Sequence, residues 1–231
     1  MYRTIILLFC FAAATLAGAE LSLDANPENL SVRIGDDIYV INPHPIPQDR
    51  AWIMERNGDP AQRLWAEILT ASPIPESRLQ APFLIMPSLG DTRVDVVENT
   101  PKHIIIRVEY WLSAFGQGHG EGIAKRTFAY GRLFAEFHFS RDIPGVEIKL
   151  ELRCHGKEPF VVNQFSVHLG KSSGQSAPAV NKNDSPPVIV EPAAIKRVDG
   201  GFEFPVHFNR TLPASLKRNE ALETVFKLRR K

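Results

Sequence analysis

Along most of this chain hydrophobic residues recur at every second position, in runs bounded by clusters of Gly, Pro, Asn and Asp. That alternation marks strands with one buried face and predicts a mostly β protein. An early hairpin is written in Leu30 to Ile34, Gly35-Asp36-Asp37 and Ile38 to Ile41, closed by prolines at 43, 45 and 47. The strongest run follows Arg93: Val94 to Val97, a turn at Glu98-Asn99-Thr100-Pro101, then a long strand from His103 to Leu112. Ile104, Ile106, Val108, Tyr110 and Leu112 share one face of it, and His103, Ile105, Arg107, Glu109 and Trp111 share the other.

A second hairpin joins Arg132 to Ser140 with Val146 to His155 through Arg141-Asp142-Ile143-Pro144-Gly145. Leu133, Ala135, Phe137 and Phe139 must lie on one face with Ile148, Leu150, Leu152 and Cys154. Pairing Phe139 with Ile148, Phe137 with Leu150 and Ala135 with Leu152 does this. It sets Glu136 beside Glu151, His138 beside Lys149 and Phe134 beside Arg153 on the opposite face. Phe160 to Leu169, Val188 to Val190 and Gly201 to Phe208 read as further strands. Asp59 and Pro60 suit an N-cap and first position of a short helix reaching Leu69, so residues 61–70 read equally as helix or strand. Ala71 to Pro87 is a proline-rich surface connection containing a short strand at Phe83 to Met86, and about 170–187 is a mobile loop. From Ser215 to Lys231, Leu216, Leu222, Val225 and Phe226 fall near helical spacing, with Arg229-Arg230-Lys231 where positive charge suits a helix C-terminus. The expected fold is therefore an all-β antiparallel β-sandwich with a short C-terminal helix, a single domain over residues 20–231.

The first nineteen residues follow another pattern. Arg3 precedes an apolar run from Ile5 to Leu16, closed by Ala17-Gly18-Ala19, a small-x-small cleavage motif before Glu20. The run is shorter than the roughly 20 apolar residues a spanning helix needs. Residues 1–19 are read as a signal peptide, the protein as secreted or periplasmic, and the mature chain as lacking an integral membrane segment. Cleavage removes Arg3 and no acid, so 27 basic and 26 acidic residues become 26 of each. A neutral chain has no field to draw in nucleic acid, whose binding depends on neutralising phosphates. Of two cysteines only Cys154 remains, which excludes an intramolecular disulfide. Its place on the apolar face makes it packing rather than a nucleophile.

Candidate chemistry lies on the mixed strand face, which carries Arg107, Glu109, Trp111, Arg132, Phe134, Glu136, His138, Lys149, Glu151, Arg153, His155, Gln164 and His168. Rings that stack on a pyranose beside Arg, Glu and His that bond its hydroxyls are the mixture sugar recognition needs. Arg107, Glu109, Trp111, Arg132, Glu136 and His138 are the ligand-binding candidates; the alternative is a solvated face whose charges pair with one another. Gly116-Gln117-Gly118-His119-Gly120-Glu121-Gly122 places a base and a carboxylate two apart on a pliant loop, making His119, Glu121 and His138 the acid–base candidates. The same loop also reads as a plain hairpin connection. Neither a metal ligand set, a cofactor motif, a Gly-x-Ser-x-Gly elbow nor a phosphate loop is present, so no metal and no cofactor are expected.

Glu98-Asn99-Thr100-Pro101, the strand ending Arg107-Val108-Glu109, its paired strand and Ile143-Pro144-Gly145-Val146-Glu147-Ile148 together resemble the large β-sandwich of galactose mutarotase-like domains, also found in polysaccharide lyases and glycoside hydrolases. The resemblance covers about residues 90–170 and implies carbohydrate binding on a concave sheet. It carries over no catalytic His or Glu. Two functions follow as expectations. One is an exported carbohydrate-binding or carbohydrate-processing protein with an oligo- or polysaccharide ligand. The other is a non-catalytic structural or accessory protein of the cell envelope acting through a protein partner.

Overall fold

A computed structural model describes residues 20–26, 29–45, 52–70, 83–115, 126–170, 188–191, 196–198, 201–204 and 206–230. Residues 1–19, expected to be a signal peptide, the expected Gly116 to Gly122 loop with His119 and Glu121, and all but the first residue of the expected 170–187 loop lie outside these.

The alternation of apolar and polar residues is realised as strands throughout. They are β1 (Leu21–Asn26), β2 (Asn29–Ile34), β3 (Asp37–Ile41), β4 (Trp52–Arg56), β5 (Leu64–Thr70), β6 (Phe83–Asn99), β7 (His103–Phe115) and β8 (Arg126–Ser140). They continue as β9 (Val146–Cys154), β10 (Phe160–Gly170), β11 (Val188–Glu191), β12 (Lys196–Val198), β13 (Gly201–Phe204), β14 (Ala214–Leu216) and β15 (Ala221–Arg230). Every pairing among them is antiparallel. One sheet runs β6-β7-β8-β9-β15-β11; the other carries β1 to β5 and continues through β10 to β13, β12 and β14. They join where β5 pairs with the start of β6, Ile68 opposite Ile85.

The buried faces of the two sheets meet, an arrangement consistent with a β-sandwich. The Tyr39 ring on β3 lies 5.4 Å from Phe139 on β8, and Phe204 on β13 lies 5.1 Å from Phe226 on β15. The Tyr110 hydroxyl on β7 donates to the Asn42 carbonyl beyond β3 at 2.9 Å. Ile104, Ile106, Val108, Tyr110 and Leu112 are all 0% exposed, as the period-two pattern requires. Leu133, Ala135, Phe137, Ile148, Leu150 and Leu152 complete that inner face.

Three expectations are corrected or settled. Residues 61–70 are strand from Leu64 on; the Asp59 cap and Pro60 make only a 3-10 turn at Pro60–Gln62, with the Asp59 carboxylate accepting from the Ala61 N–H at 2.9 Å. No C-terminal helix forms: β15 runs antiparallel between β9 and β11. Leu222, Thr224, Phe226 and Leu228 are buried at alternate positions, while Val225 is exposed. Leu222 and Phe226 are spaced four apart, a separation that fits one helix face and one strand face alike, and the sheet wins because it buries Leu228 as well.

The β8–β9 register is also shifted by two residues from the expected one. Phe139 faces Val146, Phe137 faces Ile148 and Ala135 faces Leu150. A two-residue slide keeps every side chain on its face, so the apolar pattern is blind to it. The polar face discriminates. The observed register sets Glu136 opposite Lys149 and His138 opposite Glu147, where the expected one places Glu136 beside Glu151. Gly145 closes the tighter turn with φ at +104°, and a Cβ there would lie 2.1 Å from the Leu228 carbonyl oxygen of β15. Only glycine combines that left-handed backbone with so close an approach.

Two outcomes follow for stability. Phe137→Ala should cost about 3 to 5 kcal/mol in urea unfolding, and Gly145→Ala should also destabilise, whereas Glu136→Ala should stay within about 1 kcal/mol. Burial pushes the Tyr39 hydroxyl from 10.0 up to about 12, with Arg56 opposing and Asp37 adding to the rise, so the fold favours the neutral phenol. That contribution is present below pH 10 and is lost as pH rises through about 12, a fall of about 2 to 3 kcal/mol. Alkaline unfolding curves should flatten in part in Tyr39→Phe, since buried Tyr110 is raised in the same direction.

Candidate functional site

Residues opposite each other in an antiparallel pair share a face, so the register sets the outward side chains of the β6–β11 sheet in rows across the strands. One row is Trp111, Arg132 and Arg153. The next is Arg93, Glu109, Phe134, Glu151 and Glu223, followed by Asp95, Arg107, Glu136, Lys149 and Val225. The fourth runs Glu98, Ile105, His138, Glu147, Lys227 and Glu191. An acid-rich row thus lies between rows that carry arginines and a lysine.

Ion pairs tie the first three rows together. Glu151, its side chain only 5% exposed, accepts from Arg153 Nε at 2.5 Å and lies 3.7 Å from Arg107 Nη2. Both guanidinium groups also lie against the Phe134 ring, at 5.1 and 5.2 Å from its centroid. Arg132 stacks over the Trp111 ring at 3.3 Å and lies 3.8 Å from Glu109. Burial pulls the Arg132 guanidinium below its ordinary value, and Glu109 works against that pull. His155, 6.1 Å from Phe134, is held low by burial and by Arg132.

At the other end of the face, residues of the β8–β9 turn and of the strands beside it line a cleft of about 270 Å³. Ile105, Ile143 and Pro144 supply its apolar side chains, while Phe139 and Val146, which also border it, are 1% and 3% exposed and belong to the core. Around it stand Glu98, His103, His138, Ser140, Glu147, Lys227 and Arg229. His138 Nε2 and Glu136 Oε1 are 2.6 Å apart, and His103 Nδ1 lies 3.7 Å from Glu98. Lys227 pairs with Glu147 at 3.0 Å and Arg229 with Glu191 at 3.2 Å.

The six ligand-binding candidates all point outward from this sheet but fall into separate groups. Trp111, Arg132 and Glu109 make one, Arg107 belongs to the Glu151 cluster, and Glu136 with His138 borders the cleft. By the rise of a strand, Trp111 and His103 are about 27 Å apart, so one small ligand does not touch both ends. Gln164 and His168 are not on this face. They belong to β10 in the other sheet, where His168 stacks on Trp65 at 4.0 Å with Glu67 at 3.5 Å. Trp52, Trp65 and His168 form an aromatic row there that strand-face reasoning on β7 to β9 does not reach. Lys227 and Arg229 enter the site only because β15 is a strand, and their alternation with buried Leu222, Phe226 and Leu228 was the available signal; Glu98 and Glu147 are placed by the β6–β7 and β8–β9 registers.

Among the described residues no group of three or more His, Cys, Asp or Glu is placed to hold a metal ion. None of the helices there is long and apolar enough to cross a membrane. Cys154 is 0% exposed, and burial pushes its thiol up, away from the thiolate a nucleophile needs.

Removing the acid at the centre of the Glu151 cluster should show that it is structural. Glu151→Ala leaves Arg107 and Arg153 facing each other over Phe134 and should cost about 2 to 3 kcal/mol, the low end for a buried pair because both arginines stay over a third exposed. Lys227→Ala, which opens an exposed pair, should cost about 1 kcal/mol or less in the same unfolding assay.

No protein-family model matches this sequence, and no match is found among curated proteins or among solved structures.

Proposed function

We propose that this chain is an exported carbohydrate-binding protein with a β-sandwich architecture, which holds a small glycan in the cleft under the Ile143–Pro144 turn. The observation that carries this is the cleft itself: an apolar surface from Ile105, Ile143 and Pro144, surrounded by Glu98, His103, His138, Ser140, Glu147, Lys227 and Arg229. A sugar ring presents an apolar face and a rim of hydroxyls, and those hydroxyls both donate and accept, as this ring of side chains does. The signal pattern of residues 1–19 and the mutarotase-like strand pattern favour the same reading. Trp111 is the weaker position for a sugar, since Arg132 already occupies a face of its ring. No catalytic role is assigned to His138.

The second reading, a non-catalytic accessory protein of the cell envelope, is favoured by the Trp111 end of the face. There the rings of Trp111 and Phe134 carry the protein's own guanidinium groups and the charges satisfy one another. A face filled in this way suits stability or a protein contact.

A glycan array probed with residues 20–231 separates the two. The expected result is binding that falls at least about tenfold in His138→Ala and in Ile143→Asp, a loss of about 1.4 kcal/mol or more, with Tm within a few degrees of wild type. Trp111→Ala should bind normally. No glycan bound, or binding indifferent to both cleft substitutions, would overturn the carbohydrate reading. Cross-linking to an envelope protein through Lys149 or Lys227 would then favour the second.

A further inference from the structure

We infer that the cleft selects uncharged sugars and rejects uronates and amino sugars, an inference that rests on the carbohydrate reading of the same cleft. Each ionic group at its border already has a partner. Glu98 lies 3.7 Å from His103, His138 lies 2.6 Å from Glu136, Lys227 lies 3.0 Å from Glu147, and Arg229 lies 3.2 Å from Glu191. The permanent cations among the lining residues, Lys227 and Arg229, are equalled in number by the lining carboxylates Glu98 and Glu147, and the two histidines add charge only when protonated. A charged ligand therefore finds no opposite charge that is not already matched.

Its charge would also lie against Ile105, Ile143 and Pro144, losing water without gaining a counter-ion. Hydroxyl groups face no such penalty. They accept from a guanidinium or ammonium and donate to a carboxylate while the ion pair stays intact.

The pairing of Arg229 decides the preference most directly. Glu191, on β11, holds Arg229 from outside the cleft and is not one of its lining residues. Glu191→Gln would leave a cleft-lining guanidinium without its carboxylate. That substitution should make the cleft accept a carboxylate ligand while leaving its apolar surface unchanged.

The test is an NMR titration of residues 20–231 with D-glucose, D-glucuronate and D-glucosamine, three sugars on one ring, followed at Ile143 and Ile105. Glucose should bind, with glucuronate and glucosamine at least about fivefold weaker, and the glucose affinity should change less than about twofold between about 50 and 500 mM NaCl. Glu191→Gln should strengthen glucuronate about fivefold without changing glucose. Glucuronate or glucosamine binding as well as glucose in the wild type, or glucuronate indifferent to Glu191→Gln, overturns this inference and leaves the carbohydrate reading standing. No response to any of the three sugars counts against the carbohydrate reading and removes the inference with it.

Discussion

The structure depends on burying one face of the β7-β8-β9-β15 sheet against the other sheet. Ile104, Ile106, Val108, Leu133, Phe137, Ile148, Leu150 and Leu222 are all fully enclosed there. At about 25 cal/mol per Å² of apolar surface, this is the largest favourable term available to a chain whose described residues hold a single, unpaired cysteine, Cys154. It also dictates what the opposite face must be. A strand that commits every second residue to the core exposes the residues between, and in this sheet those are mostly Arg, Lys, Glu and His.

The outward rows show how such a face is kept from repelling itself. A row with two arginines borders one with three acids, and the third row sets Arg107 and Lys149 among Asp95 and Glu136, so a side chain finds its opposite charge in a neighbouring row or across the strand. Glu151 between Arg107 and Arg153 is the deepest example, and Arg93 with Asp95 the most exposed. The same economy leaves little unmatched charge for a ligand. An opening in this face is lined by Ile143, Pro144 and Gly145 of the turn 141–145, where Gly145 comes down on the β15 backbone. The side chains of Ile105, Ile143 and Pro144 give that opening its apolar surface.

Much of this was legible in the sequence, and the failures share one physical cause. The buried and outward sets on β7, β8 and β9 follow from period two alone, because a single residue out of phase buries a charge. Register does not follow, since sliding Phe137 from Leu150 to Ile148 changes no face. Pairing Glu136 with Lys149 instead of Glu151 was the readable clue. The segment 221–230 misled because Leu222 and Phe226 satisfy both periods, and the choice between them is made by β9, whose Leu152 and Ile148 they face. That pairing spans some seventy residues of chain, so no local pattern contains it. The cleft residues Lys227 and Arg229 were hidden for the same reason.

Amide hydrogen exchange of residues 20–231, read residue by residue by NMR, tests the central claim most directly. The account predicts that the slowest amides, opening only with global unfolding, include residues 222–228 together with 104–112, 133–139 and 148–152, because β15 lies between β9 and β11. It further predicts strand-type contacts between Thr224 and Leu150 and between Phe226 and Ile148. Rapid exchange over 222–228, or sequential amide contacts of a helix there, would contradict the sheet, the rows and the cleft together.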